Sequence, residues 1–316
     1  MPPTLAEAAP APRWIEGPIF DAVERVLAGR DEYRRFRRGL LDGDQLGRLL
    51  DGAGPELVAA GVPSEDVQFA RRYPASIAGF AGGVLADLKA RGLIPTDRHD
   101  TARLAFVERS ARRYRHGGYR TYIYPEEARV LFALADILRP RRALFLGSYY
   151  GYWAHWALPS LIAGGGRAVL VDPDERVQRV ARANLPAAWR DAVELATTTG
   201  ERFLDGAEGP FDLVVLDAEG PRDHPDPEQR GKRVYRPLLE RALPRLAPGA
   251  LLLCHNILLR DCTGAPFFSR IIQRNRDELG PFMALVERTF DGFTEYLSTE
   301  GIGVGRLRGP RGEDRP

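Results

Sequence analysis

LFLGSYYGYWAHW, residues 144–156, runs a short apolar strand into two glycines and then into a helix loaded with aromatics. A glycine straight after a buried strand permits a tight turn. A second one, four residues on, lets a ligand or a neighbouring element come close to the backbone. The next apolar run, AVLVD at 168–172, ends on Asp172. A carboxylate at that place can accept both hydroxyls of a ribose.

Outward from this stretch, short apolar runs alternate with helical patterns. The runs are 143–147, 168–172, 193–196, 212–217 and 250–256, and the helices between them fall at 151–163, 174–185 and 233–246. Such alternation predicts an α/β fold, a doubly wound and mostly parallel sheet with helices on both faces. Ligands of such sheets bind beyond the C-terminal strand ends. Gly147, Asp172, Asp217 and the pair His255-Asn256 stand there. An αβ unit at 267–289 and a strand pair around Thr299–Gly301 predict a closing antiparallel hairpin. Ahead of the sheet, 14–27, 44–60, 65–90 and 98–115 read as helices punctuated by Gly and Pro. Thr121–Leu138 reads as another, with Pro125 in its first turn. The expected organisation is a helical N-terminal domain over 1–115, serving as lid or dimer arm, a sheet domain over 116–308, and a disordered tail over 309–316. The first residues, MPPTLAEAAPAPRW, read as a disordered lead.

Composition narrows the partners. A net charge of +2 over 316 residues gives no reason to expect nucleic acid or membrane binding. The sequence has no apolar run of about 18 residues and no signal-like start. Two thiols, Cys254 and Cys262, suit a reduced, cytoplasmic protein without disulfides. The glycine spacing Gly147-x-x-x-Gly151 lacks the G-x-G-x-x-G pattern, so a nucleoside without a pyrophosphate is expected, and S-adenosylmethionine fits. The plainer alternative is a turn glycine and a surface aspartate.

With these residues in view, the chain resembles the class I S-adenosylmethionine-dependent methyltransferases, and within them the cation-dependent O-methyltransferases that include the catechol and caffeoyl-CoA enzymes. Leu146–Trp153 is similar to that family's glycine loop, Asp172 to its acidic residue after strand two, Phe211–Ala218 to its fourth strand, and Leu246–Ala250 to its turn before strand five. The resemblance covers roughly 120–308. It implies a Rossmann-like domain and a methyl transfer to a hydroxyl of a small molecule. It also implies cofactor contacts from Tyr122, Gly147, Ser148, Tyr149, Gly151, Trp153, Asp172 and Asp217, and a homodimer.

Three positions depart from the family pattern. Its metal would lie between Asp217, His255 and Asn256, but a histidine there tilts the site away from magnesium or abolishes it. Its base is a lysine three residues after the first aspartate, where this chain has Gly220. Its acidic residue before the loop glycine is Phe145 here. These departures keep two other readings open: the same fold performing an intramolecular displacement with loss of an anionic leaving group, and a non-catalytic cofactor-binding protein.

The connection 218–236, AEGPRDHPDPEQRGKRVYR, is long and basic. Arg222, Arg230, Lys232 and Arg233, with Asn256, are expected to hold an anionic or polyfunctional substrate. His224 is expected to replace the missing lysine, with His255 and Asp217 as the other catalytic candidates. His155 reads as a packed helix residue.

Overall fold

A computed structural model describes residues 18–309. The lead, residues 14–17 of the first helical pattern and the tail from 310 lie outside the described residues.

Six helices precede the sheet-proximal part of the chain: α1 Pro18–Leu27, α2 Asp31–Arg37, α3 Gly43–Ala59, α4 Ser64–Ala70, α5 Ile77–Ala90 and α6 Thr101–Ala111. The pattern read as one helix over 65–90 is two, because Pro74 interrupts it and Ser76 caps the second half by accepting from Gly79 N–H. The helix expected over 44–60 is α3, which runs through Pro55. Its apolar face, Leu46, Leu50, Ala53 and Leu57, is fully covered. Each such Leu stabilises by roughly 1.5–3 kcal/mol, enough to offset one lost helix bond. α2 was not anticipated, nor was α10 below; both are only seven residues long.

The rest is α7 Pro125–Leu138, β1 Arg142–Leu146, α8 Tyr152–Ala163, β2 Arg167–Val171, α9 Glu175–Asn184, β3 Val193–Ala196, α10 Gly200–Gly206, β4 Phe211–Leu216, α11 Tyr235–Ala242, β5 Leu246–His255, α12 Pro266–Thr289, β6 Phe290–Tyr296 and β7 Ile302–Leu307. The sheet order is β3-β2-β1-β4-β5-β7-β6. β1 to β5 are parallel, and β7 pairs antiparallel with both β5 and β6. The expected parallel sheet with its closing hairpin is therefore present.

Side chains alternate between two covered faces, as the period of a strand requires. Ala143, Phe145, Leu170, Leu213 and Val215 share one core with α5–α8, while Leu144, Leu146, Val171, Val214 and Leu216 share another with α11 and α12. A third core, with Leu27, Phe36, Leu50, Leu57 and Tyr73, binds α1–α4 together and takes in Tyr124. The apolar packing thus breaks between Tyr73 and Ala81, and α5 and α6 pack with the sheet. Buried Arg72 crosses the break, donating to the carbonyls of Thr299 (2.8 Å) and Ser298 (2.9 Å) in the β6–β7 turn. Among the described residues no helix is long and apolar enough to cross a membrane.

Candidate active site

One cavity of about 620 Å³ opens at the C-terminal ends of β1, β2 and β4. Its walls include Phe145, Gly147, Ser148, Trp153, Asp172, Glu201, Asp217, Lys232 and Asn256, and Tyr122 and Tyr149 stand half exposed at it.

The two glycines divide their work differently from the expectation. Gly147 has φ +76°, and a Cβ there would collide with the backbone of Asp217 and Ala218. It is glycine because β1 and β4 end against each other, and the turn it makes turns Ser148 and Tyr149 into the cavity. Gly151 does not line the cavity. Its φ is +80°, and its open side faces the Tyr114 hydroxyl and Ala181, so it serves the seating of α8.

Asp172 lines the cavity just beyond the end of β2. Tyr149 N–H donates to its Oδ2 (2.9 Å) and Asp174 N–H to its Oδ1 (3.0 Å). The carboxylate is thereby fixed, with lone pairs left for a ligand. Burial pushes its carboxyl up, against the pull of those two donors. Two further wall atoms are buried without a partner, Ser148 Oγ and Glu201 Oε1. Orphaned polar atoms facing a cavity mark a polar ligand, and the donors and acceptors of an adenosyl amino acid suit them. Glu201 was missed by sequence; it lies in the first turn of α10, which reads as no periodic pattern.

Asp217, His255 and Asn256, the residues of the metal expectation, lie together at the ends of β4 and β5. His255 is 0 % exposed and lies between two carboxylates. Its Nε2 is 2.9 Å from Glu127 Oε2; its Nδ1 is 3.2 Å from Asp217 Oδ1, without hydrogen-bond alignment. Burial alone would lower the imidazole's pKa, but the charges of Asp217 and Glu127 outweigh it and raise it to about 10. Asp217, pushed up by burial, is held below the usual carboxylate range by His255, by Lys232 and by Asn256, whose amide donates to Oδ1 (3.3 Å). Among the described residues no three His, Cys, Asp or Glu side chains are grouped to hold a metal.

Glu127 was also missed. Its Oε1 accepts from Ser298 Oγ (2.7 Å) and Glu300 N–H (2.9 Å), and its Oε2 accepts from Tyr124 N–H (2.9 Å). Neighbouring Glu126 is raised to about 7 by burial and by the charge of Glu127. Glu300 is raised to about 8, chiefly by burial. Two adjacent, buried glutamates at the start of a mostly apolar helix are the signal that was available.

The long connection closes on itself. Gly220 and Gly231 pair across its neck, N–H to O at 2.9 and 3.1 Å. The chain therefore leaves at Gly220 and returns beside it, bringing Lys232 to Asp217: Nζ lies 3.8 Å from Asp217 Oδ1 and donates to Ala218 O (3.2 Å). The arginines expected to bind substrate do not line the cavity. Arg222 pairs with Glu278 (2.9 Å) and Glu219 (2.6 Å), Arg230 donates to the carbonyls of His224 and Pro225, and Arg233 donates to Asp277 O on α12. Each is spent on the loop's own attachment. His224 does line the cavity, with its Nδ1 3.2 Å from the backbone of Asp226.

Fold and site together define a Rossmann-like domain with a nucleoside-sized site at the switch between β1 and β4. Residues 144–257 match the family described as a methyltransferase domain. The chain is 25 % identical over 145 residues, 43 % of its length, to a catechol O-methyltransferase of Niastella koreensis, and spans 58 % of that protein. An S-adenosylhomocysteine-bound methyltransferase of Podospora anserina superposes with a TM-score of 0.50 at 19 % identity, covering 65 % of this chain and 87 % of that one.

Proposed function

We propose that the chain is an S-adenosylmethionine-dependent O-methyltransferase acting on a hydroxyl of a small molecule. The observation that carries this reading is that one cavity is lined by Asp172, Ser148 and Glu201 together with Asp217 and Lys232. Asp172 would hold the ribose, with Tyr149 backing its carboxylate through the backbone. Bound there, the cofactor would supply an already activated methyl group. The protein's share is then to align the acceptor and remove its proton. Lys232 Nζ is the base this geometry favours, because it faces the cavity beside Asp217. The Lys232 ammonium would first release a proton to solvent, and the amine would then take the hydroxyl proton as the oxygen takes the methyl. Trp153, at 5 % exposure, and Phe145 keep water from the inner wall. With the loop arginines paired elsewhere, the acceptor meets Tyr122 and Tyr149 at the mouth, which favours a flat, partly apolar molecule.

Calorimetry with S-adenosylmethionine tests the first half. Asp172→Ala should weaken binding at least tenfold, as expected for a lost carboxylate–hydroxyl pair worth about 1.5–3 kcal/mol. Transfer of a labelled methyl group from the cofactor into a pool of small hydroxylated compounds tests the second. Unchanged affinity in Asp172→Ala would remove that residue from the site, and binding without any transfer would leave the fold but not the activity.

A further inference from the structure

Three residues of one short segment, Thr121, Tyr122 and Ile123, line the cavity, and the chain on either side of them is tied to α1–α4. Ahead of them, Arg120 Nη2 donates to Asp66 Oδ1 on α4. After them, Tyr124 belongs to the α1–α4 core, its ring 5.5 Å from that of Tyr73. Asp66 is 2 % exposed, and its Oδ2 is buried without a hydrogen-bond partner among the described residues. A carboxylate so buried needs a cation beside it, and Arg120 is in that place. The same guanidinium lies over the Tyr122 ring, 4.8 Å from its centroid. Tyr122 is 50 % exposed; with one face against Arg120, the rest of its ring is left to whatever enters the cavity. Tyr149, the other ring at the mouth, comes from the glycine loop and has Tyr119 5.6 Å away. The two rings therefore have separate supports, one on the sheet and one on α4.

We propose that α1–α4 form part of the acceptor site: Asp66 and Arg120 are positioning residues that hold Tyr122 at the mouth of the cavity, and Tyr122 is a specificity-determining residue for a flat acceptor. The acceptor role rests on the methyltransferase reading; the strap from α4 to Tyr122 does not. Arginine suits the middle place because its planar group can donate to a carboxylate at its edge while its face lies on a ring. A lysine could keep the charge pair but has no such face. With Asp66 fixed among buried residues of α4, Arg120 is held at one end, and the ring stacked on it has less freedom to lose when an acceptor binds. The helical unit thus acts within its own chain, on the specificity of the cavity it adjoins.

The test uses the full chain labelled with fluorotyrosine. Fluorine NMR, with the Tyr122 signal assigned by its loss in Tyr122→Phe, should show that signal shifted in Arg120→Gln and in Asp66→Asn. The double variant should match Arg120→Gln alone, because Asp66 acts on the ring only through Arg120. Arg120→Lys keeps the ion pair and loses the planar face, so it should shift the same signal even if Asp66→Asn does not fold. An unmoved Tyr122 signal in Arg120→Gln and Arg120→Lys would overturn the strap. Calorimetry with catechol and with its saturated counterpart, cyclohexanediol, each in the presence of S-adenosylhomocysteine, reads the specificity. The native chain should prefer catechol by about two- to tenfold, the range that one aromatic pair gives. Tyr122→Ala should abolish that preference and Arg120→Lys should reduce it, while S-adenosylhomocysteine affinity in Arg120→Lys changes by less than about twofold. Equal or absent binding of the two diols by the cofactor-bound native chain, or a preference kept in Tyr122→Ala, would overturn the acceptor role. If S-adenosylhomocysteine itself fails to bind while the fluorine shifts hold, the methyltransferase reading fails and the strap stands.

Discussion

Lys232 shows how far a residue's role depends on where the chain brings it. In sequence it lies in a basic stretch and reads as a substrate contact; in space it stands beside Asp217 with little exposure. Lys232→Met should cut turnover by about 10²–10⁴, the usual range for a lost general base. Cofactor affinity should change little. His224→Ala, at the cavity rim, should cost much less. Steady-state kinetics beside cofactor calorimetry would reverse this ranking if His224 were the base. A second residue is legible from burial alone. His155 packs between Tyr114 and Trp189 with Nε2 unpartnered, and burial lowers its pKa to about 4. Its folded-state value is thus below its unfolded value of 6.5. The stability linked to its neutral form is complete above pH 6.5 and is lost as pH falls towards 4. The loss amounts to about 3 kcal/mol. Thermal melts between pH 7.5 and 4 should show this slope, and His155→Phe should flatten it.

At the scale of elements, the backbone turns that shape the site are held by glycines with identifiable neighbours. Gly147→Ala would place a methyl group against the Asp217–Ala218 backbone at a positive φ, so β1 and β4 could not both keep their ends. A loss of about 1–3 kcal/mol is expected, with weakened cofactor binding. Gly82, in the middle of α5, has open space around its Cβ position and an ordinary φ. Gly82→Ala should stabilise by about 0.4–1 kcal/mol and leave binding unchanged. Denaturant titrations of the two variants separate a glycine the fold requires from one it tolerates. The neck formed by Gly220 and Gly231 is of the first kind: Gly231 has φ +55° and faces the Glu278 carboxylate. Two glycines flanking a polar stretch were visible in the sequence, but nothing local says that they pair with each other.

At the scale of the whole molecule, α1–α4 hold their own core and meet the rest partly through Arg72. Its guanidinium satisfies two carbonyls of the turn that also carries Ser298 and Glu300, the anchors of Glu127. Arg72→Ala would strand those buried carbonyls, at a cost of about 1–3 kcal/mol each. Arg72→Lys should restore little of it, because a lysine lacks the planar fork. Limited proteolysis of Arg72→Ala should cut more readily between 73 and 81, where the apolar packing breaks. An unchanged cleavage pattern would mean that the junction is held by other contacts.

What the chain determined by itself was the grammar of the sheet. The apolar runs ending on Gly147, Asp172, Asp217 and His255 alternate with helical spacing, and a parallel sheet covered on both faces is the arrangement that buries them. Its closing hairpin follows from local patterns, as does the place of a nucleoside site at the strand ends, whereas the strand order came only with the tertiary structure. Tertiary structure alone decided the chemistry at those ends. Glu127 and His255 are 128 residues apart and become an ion pair only when α7 packs over β5. Lys232 reaches Asp217 because two backbone hydrogen bonds erase the loop between them. The arginines of that loop are withdrawn from the cavity by Glu219, Glu278 and backbone carbonyls near them. Periodicity records which face of an element is buried; it carries no information about which charges will neutralise one another once the faces meet.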